Sequence, residues 1–328
     1  MLKLPERVIE VRGRKFLFRV EDSQQSADYK KYEDLRQTVW QFEEDHMAGT
    51  RNLLCENFLH EGSSLFLGVF EESGEGRFIL DGQHLVGFSY GFVGLKDKSL
   101  GFDCPSNLWF YSQFLGVRPD RLNYGLGILI KEFQRKVLLE VLHLETVVCT
   151  YDPLTSVNAY RNIRHFGMKV VEYRVAPYGE YGGRLNRRDV PSDRFFMSWN
   201  LKESFCPPVP DREVENFIEN WPEAIRLEYR ELETEKGRAR LEMAAGLVLD
   251  LEEEYVLVPI PADFYLMLSL TDRAEPDIRQ IPVSWRLQTR KVFQHYLERG
   301  YRVVDFLKSE TGLKRVYYLL KRLRRHQD

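Results

Sequence analysis

The chain has 328 residues, which is enough for two domains of about 150 residues each. Hydrophobic residues make up 43% and charged residues 30%, a composition typical of folded globular proteins and unlike that of disordered or fibrous chains. Lysine and arginine (47) nearly balance aspartate and glutamate (50), so the net charge of −3 gives no general attraction to nucleic acid or to an anionic membrane.

The sequence carries none of the common metal, disulfide or targeting motifs. Its four cysteines, at positions 55, 104, 149 and 206, stand too far apart for a zinc ligand set or a redox pair. Its seven histidines form no HExxH motif, so no metal is expected. The N-terminal residues MLKLPERVIEVRGRK are too charged for a signal peptide, and no stretch approaches ~18 apolar residues. We therefore expect a cytoplasmic protein without a membrane partner.

Residues 1–203 alternate between strand and helix patterns, which predicts a mixed α/β fold of the α+β kind. Continuous or alternating apolar runs predict strands at residues 15–20, 65–70, 85–93, 108–117, 145–150, 168–175 and 194–201. Apolar residues at helical spacing predict helices at residues 28–42, 125–144 and 157–166. Gly167 directly follows the last of these helices and is suited to end it.

A proline-rich segment marks the boundary after this block. Pro207, Pro208 and Pro210 cannot continue a strand or a helix and favour an extended connector. We therefore expect a first domain at 1–203, a linker with a charged helical segment at 204–240, and a smaller α+β domain at 241–328. The last domain has strand patterns at 255–260, 301–307 and 315–319 and a helix pattern at 285–299. Its element order is similar to the second half of the first domain.

The most informative segment is VRPDRLNYGLG at residues 117–127, where a strand ends and a long helix begins. The first turn of a helix presents unpaired N–H groups and partial positive charge, so it suits an anion. Gly125 and Gly127 let a phosphate approach the backbone closely, and Arg118 and Arg121 add charged donors. The pattern is neither a Walker A motif nor a dinucleotide fingerprint. It predicts a diphosphate site.

This loop resembles the coenzyme loop of the GNAT acyltransferase superfamily, which reads Q/R-x-x-G-x-G/A. In this chain it reads LNYGLG at residues 122–127, so the two glycines match. Leu122 departs from the Q/R position, and Arg121 stands one residue early. The preceding strand and the following ETVVCTYDPLTSVNAYRNIRHFGMKVVEY segment are also similar to the family, and the resemblance covers about residues 16–201.

Further segments resemble a branch of predicted GNAT acyltransferases with a long C-terminal extension. They are TYDPLTSVNAY at 150–160, APYGEYGG at 176–183, SDRFFMSW at 192–199, and WRLQTRKVF with GYRVVDF near the end. The resemblance implies that Arg286 and Arg290 belong to a shared second domain. Taken alone, Asp152 is suited to cap a helix, and Asp193 with Arg194 to form an ion pair or a strand-start contact.

The GNAT resemblance implies a mixed sheet flanked by helices, with acetyl-CoA or another acyl-CoA as co-substrate. A bulge in the strand at 108–117 then separates it from the next strand, the pantetheine arm lies in the gap, and the Val117 N–H approaches the thioester. The residues implied to bind the coenzyme are Leu115, Val117, Arg118, Arg121, Leu122, Asn123, Tyr124, Gly125, Leu126, Gly127 and Asn158.

The general acid is less well marked. The family places a tyrosine where this chain has Ile163, and an asparagine where it has Ser156. Tyr160, one turn earlier, and Tyr178, past the sixth strand of the family's sheet, are the candidates for the acid. For each, packing or loop structure is the alternative interpretation.

The sequence thus predicts an N-acyltransferase that moves an acetyl group to a small amine or amino acid, with a protein N-terminus or lysine as the less favoured acceptor. A succinyl donor stays open, with Arg174, Arg184 or Arg187 as partners for its second carboxylate. A non-catalytic coenzyme-A-binding module is the alternative, and a homodimer is also left open. The basic C-terminus at 314–328 is interpreted as a charged tail, because no nucleic-acid motif accompanies it.

Overall fold

The computed structural model describes residues 5–23, 25–42, 63–234, 237–311 and 314–323. The chain divides into two compact units: residues 1–149 with 200–203, and residues 150–199 with 204–328. This division does not coincide with the boundary expected near residue 203. The reason is that residues 150–199 pack with the C-terminal half, where the ring of Phe195 lies 4.8 Å from that of Phe293 and 5.5 Å from that of Tyr318.

The first unit contains a sheet whose strands are hydrogen-bonded in chain order. They are β1 (Glu6–Val11), β2 (Arg14–Val20), β3 (Ser64–Glu71), β4 (Leu85–Leu95), β5 (Leu108–Val117) and the beginning of β6 (Thr146–Tyr151). Each neighbouring pair is antiparallel except β5 and β6, which are parallel. The mixed α/β architecture expected from the sequence is therefore present.

Strand β1 was not expected from the sequence, and it pairs with β2 through a tight turn. Arg12 and Gly13 both have positive φ (52° and 74°), the geometry of a two-residue hairpin turn that matches the twist of the strands. No residue of β1 is fully buried. The alternating apolar pattern that reveals a half-buried strand is therefore missing from it.

Helices α1 (Ser26–Trp40) and α2 (Leu126–Glu140) cover opposite faces of this sheet. Tyr32 of α1 packs 5.3 Å from the ring of Phe66, and Phe133 of α2 packs 6.0 Å from the ring of Phe18. Phe18 pairs with Val69 on β3, whose side chain points away from that of Phe66 because strand residues alternate between faces. The two helices thus bury both surfaces of the sheet.

The second unit begins with a short helix and a strand pair. Helix α3 (Ser156–Ala159) continues into a π-helical turn at Tyr160–His165, in the region where one helix was expected. Gly167, with φ of 62°, ends it as predicted. Strands β7 (Lys169–Arg174) and β8 (Arg194–Asn200) follow and are antiparallel.

The charged segment expected to be helical at 212–240 is mostly a strand ribbon. Only α4 (Val214–Asn220) and a short 3₁₀ turn before it are helical, and β9 (Ile225–Thr234) then pairs with β10 (Gly237–Leu247). Buried residues lie on both faces of the ribbon, Ile225 on one face and Leu232 with Leu241 on the other. The helical interpretation was wrong because the many charged residues left no continuous apolar face to mark the strands.

The C-terminal residues form a three-stranded antiparallel sheet in the order β11-β13-β12. Its elements are β11 (Tyr255–Ile260), α5 (Phe264–Leu270), α6 (Pro276–Arg279), α7 (Ile281–Glu298), β12 (Tyr301–Lys308) and β13 (Val316–Arg322). As in the β6–α3–β7–β8 segment, a strand and a helix precede two antiparallel strands. Of the predicted basic tail, Arg324 and Arg325 lie outside the described residues. None of the described helices is long and apolar enough to span a membrane.

Candidate functional site

Strand β5 separates from β6 partway along its length. Only Phe110 and Tyr111 of β5 pair with β6. The pairing with β4 slips just beyond them, so Gln113 is an extra residue on β5 and forms a β-bulge. From there to Val117, β4 is the only strand of the described chain that pairs with β5.

Two backbone N–H groups of β5 face the open edge. The N–H of Arg118, just after the strand, donates to the carbonyl oxygen of Val86 on the β4 side at 2.8 Å. Because residues two apart in a strand direct their backbone groups to the same side, Gly116 also faces β4. The N–H groups of Leu115 and Val117 therefore point away from β4, where the sequence resemblance places the pantetheine arm.

The loop after β5 ends in a glycine that opens helix α2. Pro119–Tyr124 forms a 3₁₀ turn, and Gly125 follows with φ of 69°, a left-handed conformation suited to glycine. The Gly125 carbonyl accepts from Ile128 and Leu129, which leaves the N–H groups of Leu126 and Gly127 without an acceptor inside the helix. We call residues 125–127 the glycine entrance.

The glycine entrance is partly open to solvent. Gly125 is exposed, and a Cβ added to it would meet no atom within 4 Å, whereas Leu126 is fully buried and Gly127 is half-buried. Asn123 is also exposed, and Leu122, at the Q/R position of the family loop, is 59% exposed. Tyr124 packs inward, with its ring 5.7 Å from that of Phe16. An anion therefore has room beside Gly125, next to the start of the helix.

Arg118 and Arg121 are engaged in ion pairs beside this entrance. Arg118 donates to Asp120 at 2.7 Å, and Arg121 donates to Asp120 and to Glu71, each at 2.8 Å. Glu71 also accepts from Arg14. Burial raises the pKa of Glu71, but the bonds from Arg14 and Arg121 outweigh it, so its pKa lies below the usual value. These three arginines face two carboxylates, which leaves one net positive charge.

The two predicted tyrosines have different surroundings in the second unit. The ring centroid of Tyr160 lies 4.1 Å from Nζ of Lys308, whose pKa is lowered by burial. The hydroxyl of Tyr178 lies 2.6 Å from Oγ1 of Thr150, near the end of β6. The ring of Tyr178 is also 5.3 Å from the guanidinium carbon of Arg194.

Asn158, predicted to reach the coenzyme, uses its amide within its own helical segment. It donates to Oγ1 of Thr155 at 3.0 Å and accepts from Arg161 at 2.7 Å. Among the arginines considered for a succinyl group, Arg187 donates to Asp189, Thr271 and the Arg279 carbonyl oxygen, and Arg174 donates to Glu172 at 2.8 Å.

A buried charged cluster in the second unit was not predicted as a site. We call it the arginine pocket and define it as Asp152, Tyr181, Arg194, Tyr265 and Arg286. Asp152 accepts from Arg286, and Arg194 lies 3.6 Å from the same carboxylate and donates to Tyr181. Burial raises the pKa of Asp152, but the charges of Arg286 and Arg194 outweigh it, so its pKa lies below the usual value.

The roles expected for two of these residues are changed by the pocket. Asp152 does accept from the N–H of Leu154 at 2.9 Å, as a turn cap would, but its other oxygen bonds Arg286. Of the two contacts expected between Asp193 and Arg194, the strand-start contact is present, because Nη1 of Arg194 donates to the Asp193 carbonyl oxygen at 2.8 Å; the Asp193 carboxylate instead binds Arg290 through two bonds of 2.8 Å. Four of the five pocket residues lie in the segments at 150–160, 176–183, 192–199 and the WRLQTRKVF motif. The resemblance of these segments to the family branch was therefore the sequence signal that could have indicated the pocket.

Solved acetyltransferase structures match this chain over part of its length. NAA60 from Arabidopsis thaliana, in complex with a bisubstrate analogue, matches with 11% identity over 56% of this chain and 98% of its own, at a TM-score of 0.40. The ribosomal-protein-S18-alanine N-acetyltransferase from Escherichia coli matches with 12% identity over 58% and 96%, at 0.40. Aminoglycoside 6'-acetyltransferase type Ii matches with 13% identity over 57% and 99%, at 0.39.

At identities of 11–13% and TM-scores of 0.39–0.40, these matches are a partial structural likeness over 56–58% of the chain, and they say nothing about its activity. No protein-family model matches the sequence, and no curated protein matches it significantly. The chemistry is therefore argued from this chain's own residues.

Proposed function

We propose that this chain is an acyl-CoA-dependent N-acyltransferase that moves an acetyl group from coenzyme A to an amine. The observation that carries the proposal is the edge of β5 beyond its bulge. There Leu115 and Val117 direct N–H groups away from β4, and the strand leads directly into the open glycine entrance. The pantetheine arm of coenzyme A is an extended chain with amides that leads to a diphosphate, so it matches these donors in the order in which they occur.

The residues of the first unit fit the coenzyme. The N–H of the half-buried Gly127 would hold the diphosphate, and the exposed Gly125 leaves space for it. The amides of the pantetheine arm would pair with the free edge of β5. Acyl-CoA supplies the thioester; the Val117 N–H would then donate to the carbonyl oxygen as negative charge develops on it.

The reaction requires a neutral amine, and the departing thiolate takes up a proton. We assign the proton donor to Tyr178 rather than Tyr160. The Tyr178 hydroxyl bonds Thr150 on the strand that follows α2, whereas the Tyr160 ring packs against the Lys308 ammonium. A cation at a ring face is a packing contact that does not orient the hydroxyl, whereas the hydrogen bond to Thr150 does orient that of Tyr178.

The acceptor is a small amine or an amino acid, and a succinyl donor remains an alternative to acetyl. Three cysteines, Cys104, Cys149 and Cys206, are free thiols, which fits the reducing cytoplasm.

A non-catalytic coenzyme-A-binding module is the second candidate. The observation that favours it is Ile163, which is 2% exposed at the position where the family places its catalytic tyrosine.

Calorimetric titration with acetyl-CoA, followed by a thiol-release assay over a panel of amines and amino acids, tests the proposal. Binding with turnover supports the transferase, and binding without turnover on any acceptor supports the module. Absence of binding excludes both. Tyr178→Phe should lower kcat about 10²-fold, while Tyr160→Phe should leave it nearly unchanged; the reverse result would reassign the acid.

A further inference from the structure

The arginine pocket holds more positive charge than its carboxylates balance. Arg286 is fully buried, Asp152 is 7% exposed and Arg194 is 8% exposed. The neighbouring Asp193 is already bound to Arg290 by two hydrogen bonds. One carboxylate therefore remains for the two arginines of the pocket. Taking unbalanced charge out of water costs several kcal/mol, so such an arrangement needs a compensating function.

Arg286 also has hydrogen-bond donors that nothing in the described chain accepts. Its Nη2 donates to Asp152, while Nε and Nη1 are buried without a partner in the part of the chain that the structure describes. The guanidinium lies 5.5 Å from the ring of Phe264. Buried guanidinium groups are normally satisfied, so free donors on a charged, fully buried arginine indicate a missing acceptor.

Two tyrosines border the pocket. Tyr181 and Tyr265 are half-buried, and the side chain of Arg194 retains 10% exposure. Tyr265 is close enough to Asp152 and Arg194 to interact with their charges, and burial raises its pKa. A protonated phenol is a hydrogen-bond donor, so the pocket presents donors of two kinds and a single carboxylate.

We propose that the arginine pocket binds the carboxylate of a reactant, with Arg194, Arg286 and Tyr265 as its donors. This inference rests on the proposed acyl transfer, and it specifies a carboxylate-bearing substrate. The carboxylate comes either from an amino acid acceptor or from the distal end of a succinyl donor. In both cases it would supply the acceptor that Arg286 lacks and offset the excess charge.

Binding measurements on the full chain distinguish the two sources. In the first arm, N-acetyl amino acids and their carboxamides, which lack the charge, are titrated by calorimetry with and without coenzyme A. In the second arm, succinyl-CoA is compared with acetyl-CoA. In one of the two arms, we expect the compound that carries the carboxylate to bind with a Kd at least tenfold lower than that of its uncharged counterpart. Arg194→Gln and Arg286→Gln should each abolish that preference.

A matched control separates recognition from stability. Arg164 is 5% exposed and bridges Asp211 and Asp305, so Arg164→Gln removes a comparably buried arginine outside the pocket. It should lower the melting temperature yet keep the carboxylate preference. Arg286→Lys, which retains the charge, serves if Arg286→Gln does not fold.

Two outcomes overturn the inference: no carboxylate preference in either arm, or a preference that survives both Arg194→Gln and Arg286→Gln. Failure of the proposed function looks different, because acetyl-CoA and coenzyme A would then either not bind or bind without turnover on any acceptor. The titration without coenzyme A would still report on the carboxylate.

Discussion

Positive charge is arranged in opposite ways at the glycine entrance of the first unit and in the arginine pocket of the second. At the entrance the donors are backbone N–H groups at a partly exposed helix start, and the nearby Arg118 and Arg121 are bound to Asp120 and Glu71. In the pocket the donors are buried side chains, and two arginines share one carboxylate.

The difference indicates two kinds of recognition. Helix-end N–H groups attract any phosphate-like group at low desolvation cost and with little dependence on its identity. A buried guanidinium repays its desolvation only when a correctly placed anion arrives, so it discriminates sharply. The entrance therefore suits the constant part of a cofactor, and the pocket suits the part that distinguishes one substrate from another.

The largest expected effect is on stability, in the pocket. Asp152→Asn leaves Arg194 and Arg286 without a carboxylate and should lower the free energy of unfolding by about 3–5 kcal/mol at pH 7. Because the pKa of Asp152 is depressed below 3.8, its stabilisation is complete above pH 3.8 and is lost as pH falls through the lower folded pKa. Denaturant titrations between pH 7 and pH 3 measure this.

Asp305 is the control for the sign of that pH dependence. It is also buried and bonded to an arginine, Arg164, but burial raises its pKa above the usual value. The difference between wild type and Asp305→Asn should therefore change with pH in the opposite direction to that of Asp152→Asn. If the two stability differences change with pH in the same direction, the arginines do not lower the pKa of Asp152.

At the edge of β5, Val117→Pro removes one N–H and should lower kcat about 10²–10³-fold, the usual effect of losing an oxyanion donor. Proline is tolerated there because that N–H faces away from the ladder with β4. Val117→Ala is the matched control, since it trims the side chain and keeps the N–H. Equal rates for the two variants would remove Val117 from the mechanism.

At the glycine entrance, Gly125→Asp and Gly125→Asn form a pair that isolates charge. Both residues tolerate the left-handed backbone, and space exists for either side chain. The aspartate should raise the Kd for acetyl-CoA about tenfold or more over the asparagine variant, because it repels the diphosphate. Calorimetry measures both, and equal Kd values would place the anion elsewhere.

The smallest effect tests whether the paired arginines contribute. Glu71→Gln releases Arg14 and Arg121 from their carboxylate and should lower the Kd for acetyl-CoA about threefold. Glu72→Gln makes the same charge change at a residue that pairs with Lys15, so it should have less effect. If neither change affects the Kd for acetyl-CoA, the backbone N–H groups alone account for binding at the glycine entrance.

The sequence predicted the strand and the helix on either side of the glycine entrance because each is marked by residues that are neighbours in the chain. Strand β5 was placed at 108–117 and observed at Leu108–Val117, since its apolar run is continuous and a polar turn follows. The free N–H groups of α2 follow from any helix start, and the glycines identify which start is open. The bulge at Gln113 could not be predicted, because it depends on the register with β4.

The arginine pocket could not be predicted in the same way. Asp152, Arg194 and Arg286 are far apart in the chain, and each has an ordinary local interpretation. Which arginine approaches which carboxylate depends on the packing of α7 and β8, not on a neighbouring pattern. The ribbon of β9 and β10 was missed because its buried residues are few and lie on both faces, so no two-residue alternation marks it in the sequence.

The π-helical turn at Tyr160–His165 affects how this segment is compared with relatives. The Phe166 N–H bonds the Arg161 carbonyl, five residues back, so the turn holds one residue more than a regular helix does. Side chains ahead of the widened turn are consequently rotated relative to those behind it. Matching residues of this segment to those of another chain by counting back from Gly167 therefore has to allow for the extra residue.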